Sequence, residues 1–315
     1  MTLRDAASDA GATVDPAHGN TVTSLSTRVL DRRVELLAPA GPFGVSGDSG
    51  GIPVLFPFPN RVRGGRFEFG GRVYLLRRNE RGGRNHIHGF VRDRPWTVDA
   101  VGASDEDGAW IDSSIRLDAF PDVMAEYPFP CSLRMRTSLR AGALTQAVEV
   151  RNTGARDLPM GYGIHPWFPA RLTSTRADTI VRVPARGAWK LADLLPTGER
   201  QPVGDSLDFR AGRPLGSSSF DDVLTDLIRR EDAWTEAAVV YPADHLEIVI
   251  EASPQFREWV VYAPPQRDVV SLEPYSCVTD AVNLWRSGVD CGLVVLGPGE
   301  TWTATVRIFA RVATP

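Results

Sequence analysis

The chain has 315 residues and a formal net charge of −4, with 43% of its residues hydrophobic and 23% charged. That balance sustains a buried core and excludes general disorder, and the mild acidity leaves no broad positive field to release counterions from a nucleic acid. Length allows one domain, because large all-β sandwiches reach this size around one core.

Lys190 is the sole lysine, so almost any cation in a site is a planar, permanently charged guanidinium. Cys131, Cys277 and Cys291 are odd in number and lack C-x-x-C spacing. They suggest neither a zinc ribbon nor a disulfide scaffold, and a reducing cytoplasm fits best. Residues 1–16 contain Asp5, Asp9 and Asp15 without an apolar signal-sequence core, and no later segment is apolar enough to span a membrane. Residues 1–20 read as a flexible, polar extension, and 21–315 as a single domain without a linker or a repeat.

In chain order, the first chemical signal is the stretch GGIPVLFPFPNR at 50–61, an apolar run that ends abruptly in Asn60 and Arg61. Arg61 suits a substrate clamp, and equally a solvated strand end, since charged residues are seldom buried. The segment Asn85-His86-Ile87-His88-Gly89 follows. On a strand its two histidines share one face, which is compatible with a metal pair. A cupin-type ligand set wants a glutamate downstream, however, and Arg92, Asp93 and Arg94 stand there instead, which ranks the metal reading low. One of the two histidines is compatible with a purely structural role.

Leu133, Met135, Thr137 and Leu139 alternate with Arg134, Arg136, Ser138 and Arg140, the period-two pattern of a half-buried strand. In the segment Met160-Gly161-Tyr162-Gly163-Ile164-His165-Pro166-Trp167-Phe168 the glycines admit close neighbours and Pro166 stiffens the backbone beside His165. His165 is thus either a rigidly held functional group or a satisfied core histidine. Further on, Asp221 and Asp222 suit the cap of a short helix expected over 221–230, or a site.

The period-two pattern returns where Leu246, Ile248 and Ile250 alternate with Glu247 and Glu251. It returns again where Trp302, Ala304, Val306, Ile308, Ala310 and Val312 alternate with Thr303, Thr305, Arg307 and Arg311. Between these two runs, Glu273 ends a strand-forming apolar stretch and precedes Pro274. An unpaired buried carboxylate costs several kcal/mol, so Glu273 needs a partner or a catalytic use. Turn clusters such as Gly70-Gly71, Asn152-Thr153-Gly154 and Gly297-Pro298-Gly299 separate the runs, and no strand–helix–strand alternation appears. An antiparallel sandwich or barrel is expected.

Taken in order, the Asn60-Arg61 pair after a Pro-rich apolar stretch, Asn85-His86-Ile87-His88-Gly89, His165-Pro166-Trp167-Phe168, Phe220-Asp221-Asp222-Val223-Leu224 and Leu272-Glu273-Pro274 resemble the aldose 1-epimerase family. Tyr127-Pro128 and the run at 148–154 extend the likeness, which covers about residue 28 to the C-terminal strand. The resemblance implies an all-β fold, a large antiparallel β-sandwich of the galactose mutarotase-like supersandwich type. Its cleft would be lined by Arg61, His88 and Asp221 as substrate-binding residues and by Glu273 and His165 as general base and general acid. Departures from the family's usual pattern are Asp222, where many members carry histidine, Trp167, where tyrosine is common, and Pro169, where asparagine is frequent.

The implied reaction interconverts the α and β anomers of an aldose. Glu273 takes the O1 proton while His165 protonates O5, the ring opens, and closure on the other face reverses the roles. No metal and no cofactor are expected, and the only partner called for is a small-molecule sugar, with no nucleic acid and no membrane, in a monomer or homodimer. Four alternatives remain: a non-catalytic carbohydrate-binding sandwich, an epimerase acting on a phosphorylated hexose, a glycosidase using Asp221 and Glu273 as paired carboxylates, and a metal-dependent cupin-like enzyme built on His86, His88 and His165.

Overall fold

The period-two runs form the spine of two large antiparallel sheets in a computed structural model of the protein, which describes residues 1–38 and 50–313. One sheet has nine strands, in the spatial order Thr97–Ser104, Gly108–Arg116, Cys131–Arg140, Ala143–Asn152, Thr301–Val312, Leu246–Ala252, Thr235–Tyr241, Ile180–Arg182 and Arg213–Pro214. Its register sets Met135 against Val148 and Val148 against Ala304, so apolar side chains of three strands share one face.

The second sheet has eight strands. Leu195–Pro202, Ala185–Ala192, Phe220–Leu227, Glu258–Ala263, Val269–Tyr275, Gly163–Ile164 and Val54–Leu55 follow one another, and Trp167–Pro169 pairs beside Gly163–Ile164 on Val269–Tyr275. Leu133, Val150 and Ile248 of the nine-stranded sheet belong to one buried apolar cluster with Trp259, Val261 and Leu272 of the eight-stranded sheet. The architecture is the expected antiparallel β-sandwich. Among the described residues no helix is long and apolar enough to cross a membrane.

Three expectations are corrected. The helix expected over 221–230 is instead the strand Phe220–Leu227, hydrogen-bonded between Ala185–Ala192 and Glu258–Ala263. Val223, Leu224 and Thr225 are buried there, and ladder pairing on both sides overrides the local capping signal of the two aspartates. The N-terminal extension is not loose in structure either. Thr2–Asp5 and Ala10–Asp15 are two strands of a four-stranded sheet completed by Thr21–Val29 and Arg32–Glu35. Ala10, Ala12 and Val14 supply the buried face of a strand whose polar residues hid the alternation.

Finally, Leu246–Ala252 is buried on both faces, not half-buried. Glu247 is covered by the guanidinium of Arg182 at 2.6 Å and by Arg311, and Glu251 by Arg307 at 3.0 Å and by Arg230. Arginine forks across neighbouring strands satisfy carboxylates that would otherwise have to face water.

Candidate active site

Arg61, His88, His165, Asp221 and Glu273, separated by up to 212 positions in sequence, line one cleft of about 540 Å³, a size suited to a small polar ligand. Its floor is set by Val269–Tyr275. Alternation along that strand points Ser271, Glu273 and Tyr275 the same way, and the strand carrying Gly163 and the strand carrying Trp167 both pair with it, which holds His165 alongside.

Hydrogen bonds fix the polarity of this row. The Ser271 hydroxyl donates to the carbonyl of Pro166 at 2.5 Å, so its oxygen is left to accept from His165 Nδ1 at 2.8 Å. Nδ1 therefore carries hydrogen, and the other ring nitrogen, Nε2, faces Glu273 Oε1 at 3.2 Å. A bare nitrogen lone pair and a bare carboxylate would repel, so the contact requires one proton between them. Tyr275 donates its hydroxyl to the other carboxylate oxygen at 2.5 Å.

Burial governs the electrostatics. Glu273 is held well above the usual carboxylate range by burial, with Asp221 adding to the effect and the Tyr275 hydroxyl and Arg61 opposing it. Burial also lowers His165 to about 3, helped by the positive charges of Arg92 and Arg267. Both directions favour a neutral pair sharing a single proton. Trp167 stacks on the His165 ring at 4.5 Å with 17° between the planes, and Tyr262 closes the aromatic wall edge-on to both.

On the opposite wall Arg61 is held on three sides. Its Nε donates to Glu80 at 2.6 Å, one terminal nitrogen to Asn60 Oδ1 at 2.9 Å and the other to Asp221 at 3.4 Å. Asn85 in turn donates to the second oxygen of Glu80 at 2.6 Å. Burial works against the Arg61 charge, but Asp221 and Glu80 outweigh it and raise the guanidinium above its ordinary value. Burial likewise raises Asp221, with Arg61 opposing.

His88 and Asn60 both adopt left-handed backbone, φ +65° and +60°. They bind one another: His88 N–H donates to the Asn60 carbonyl at 2.9 Å, and Asn60 N–H to His88 Nδ1 at 3.3 Å. Accepting at Nδ1 leaves the hydrogen of neutral His88 on Nε2. Strain of this kind persists only where the surroundings over-determine it. Gly89 is part of that support, because a Cβ on it would lie 1.9 Å from the carbonyl oxygen of Phe56 at a φ of +67°. Gly89→Ala is expected to destabilise the fold by about 2 kcal/mol or more, read as a fall in the denaturation midpoint.

The two histidines of the 85–89 segment do not share a face. The strand stops at Ile87, and the left-handed turn at His88 swings the two rings apart. His86 is buried against Phe90 with Nδ1 2.9 Å from the carbonyl of Arg77, whereas His88 meets His165, ring centroids 5.5 Å apart. Among the described residues no group of three or more His, Cys, Asp or Glu side chains is arranged to hold a metal ion.

Glu80, Ser271, Tyr275 and Arg92 join the site without having been singled out in the sequence. Ser271 and Tyr275 were accessible to the i, i+2, i+4 rule around Glu273. Glu80 sits in the arginine-rich run Arg77-Arg78-Asn79-Glu80-Arg81 and carries no such signal.

Over 263 residues the chain is 28% identical to the uncharacterized protein YihR of Escherichia coli (strain K12), covering 82% of this chain and 78% of that protein. It is 27% identical over 282 residues to the uncharacterized protein YphB of the same organism, covering 87% and 88%. Its fold superposes on the crystal structure of a galactose mutarotase-like protein from Clostridium acetobutylicum with a TM-score of 0.85, at 22% identity and covering 98% of this chain and 94% of the other. The model of the aldose 1-epimerase family matches residues 8–308, so the chain belongs to the aldose 1-epimerase family.

Proposed function

We propose that the protein is a mutarotase that interconverts the α and β anomers of an aldose, with Glu273 as general base and His165 as general acid. The observation that carries this reading is the 3.2 Å contact between His165 Nε2 and Glu273 Oε1 in the cleft. O1 and O5 of a pyranose are both bonded to C1, so the groups serving them must be neighbours. A glycosidase, by contrast, needs two carboxylates standing about 5 to 9.5 Å apart across a glycosidic bond.

The proton count supports the same assignment. At rest the neutral pair holds the shared proton on Glu273; once that proton has passed to Nε2, Glu273 is free to accept the O1 proton while His165 delivers its own to O5 and the ring opens. Afterwards the pair again holds one proton, now on Glu273. Rotation about C1–C2 turns the aldehyde, the two transfers run backwards, and O5 closes on the other face. Tyr275 steadies Glu273 through its second oxygen, and Ser271 fixes the His165 tautomer. Each positioned acid or base contributes about 10² to 10⁴ in rate.

The test is polarimetry of freshly dissolved α-glucose and α-galactose, whose decay of rotation the protein should hasten. Sugar binding without acceleration of any aldose would replace this reading with that of a carbohydrate-binding sandwich.

Arg61 and His88 act on sugar hydroxyls in both ground and transition states under this scheme. Arg61→Ala and His88→Ala are expected to weaken binding and lower kcat/KM by roughly 10 to 100-fold, the worth of a hydrogen bond to a charged or buried polar group. Circular dichroism separates this from misfolding, because Arg61→Ala also strips Glu80 and Asp221 of their cation. Wild-type kinetics in both variants would remove the two residues from the site.

A further inference from the structure

Glu258 is a buried acid that the scheme above does not use. In the eight-stranded sheet Glu273 lies opposite Val260, and Tyr275 lies opposite Glu258. Opposite residues of an antiparallel pair share a face, so Glu258 stands on the cleft side of the sheet, beside Tyr275 and diagonal to Glu273. It is only 1% exposed, and the neighbouring side chains of Trp189, Val260, Tyr275 and Cys277 belong to one apolar cluster that reaches the cleft at Leu55.

Glu258 Oε2 accepts from Trp189 Nε1 at 3.1 Å, and Thr225 also hydrogen-bonds the carboxyl. The two cations that act on it, Arg257 and Arg200, pair with Asp290 instead, at 2.8 and 3.6 Å. Burial therefore prevails and raises the carboxyl to about 8, which leaves it an uncharged acid at neutral pH. A leucine would fill an apolar cluster without that desolvation cost, so an acid at this place needs a use.

Tyr275 supplies the link, because its ring packs in the same cluster while its hydroxyl donates to Glu273 at 2.5 Å. We propose that Glu258 is a positioning residue for the acid–base pair: as an uncharged acid it packs behind Tyr275 and keeps the tyrosine hydroxyl on Glu273. The proposal rests on the roles assigned to Glu273 and His165 above. Ionised, the same side chain draws water into the cluster and unseats the ring. Of the other groups around it, burial raises Tyr275, Cys277 and Cys291 from values that are already alkaline, and Asp290 raises Arg257. Glu273 is the other acid held above the usual carboxylate range, and substitution at 258 separates the two.

The experiment follows mutarotation of α-glucose and α-galactose, above the buffer rate, in the wild type, Glu258→Gln, Tyr275→Phe and the double variant, with circular dichroism as the control for folding. In the wild type kcat should fall by roughly thirtyfold between about pH 6.5 and about pH 9.5, the loss of the uncharged form of a group at about 8, while KM changes little. Glutamine cannot ionise, so in Glu258→Gln the fall should shrink to less than about threefold. In the Tyr275→Phe background the same substitution should alter the profile by less than about twofold, because the hydroxyl through which Glu258 acts is gone. Glu258→Met, a second uncharged side chain of similar length, repeats the comparison if the glutamine variant does not fold. An alkaline limb unchanged by the substitution belongs to the His165–Glu273 pair and overturns the proposal, as does an equal effect with and without the Tyr275 hydroxyl. If no aldose turns over, the mutarotase reading fails by itself, and nitrogen NMR of the His165 ring decides this one. A change with a midpoint near 8 in the wild type that is absent from Glu258→Gln upholds it, and a ring indifferent to the substitution overturns it.

Discussion

Glu273→Gln is expected to slow the mutarotation of fresh α-glucose or α-galactose by about 10² to 10⁴ while sugar binding persists. Glutamine keeps the volume of the side chain and an oxygen for the Tyr275 hydroxyl, but it cannot take a proton from O1. Folding should not suffer. Glu273 is nearly sealed from water, 2% exposed at its side chain, and burial already favours its uncharged form. The sign of the linkage gives a second readout. A carboxyl whose folded pKa lies above its unfolded value costs the fold stability as pH rises through the folded value, and the glutamine removes that cost. The variant should therefore be less sensitive to alkaline denaturation than the wild type. Near-normal turnover in Glu273→Gln would sink the mechanism.

His165→Asn should cause a loss of the same order, because an amide keeps a hydrogen-bonding group but has no proton to deliver to O5. Here the linkage runs the other way. His165 sits at about 3 in the folded chain, against 6.5 for an ordinary histidine. As pH falls below 6.5 the unfolded chain takes up this proton first, and the native state loses stability progressively down to about pH 3. Asparagine has no such titration, so the variant should be inactive yet more acid-tolerant. In the wild type, the same value places the acid limb of activity near pH 3, where a second proton on the pair leaves no base. An active His165→Asn protein, or one that unfolds earlier in acid, would contradict the assignment.

Much of this was legible in the sequence for a physical reason. Alternation of apolar and polar residues survives in strands such as Cys131–Arg140 because one face meets the core and the other water. Glu273 and His165 stood out because an ionisable group inside an apolar or glycine-rich run needs an explanation. What escaped was set by pairing between distant segments. Asp221 and Asp222 look like a helix cap until Tyr262 and Val261 of a neighbouring strand are laid against them. Ala10, Ala12 and Val14 are small and give a faint apolar signal, yet sheet pairing buries them. Glu80 acquires its role only because Arg61 reaches it across 19 residues of chain. His86 and His88 part company at the positive φ of His88, which the alternation rule for a strand does not foresee.

The hydrogen-bond row behind the cleft ends on the carbonyl of Pro166, an acceptor with nothing to pass on. Under the proposed mechanism the proton that leaves O1 and the one that reaches O5 both pass through the His165–Glu273 pair, and ring closure restores the pair to its starting state. Like any catalyst, such a pair would change how quickly an aldose reaches the anomeric ratio it has in buffer, and not the ratio itself.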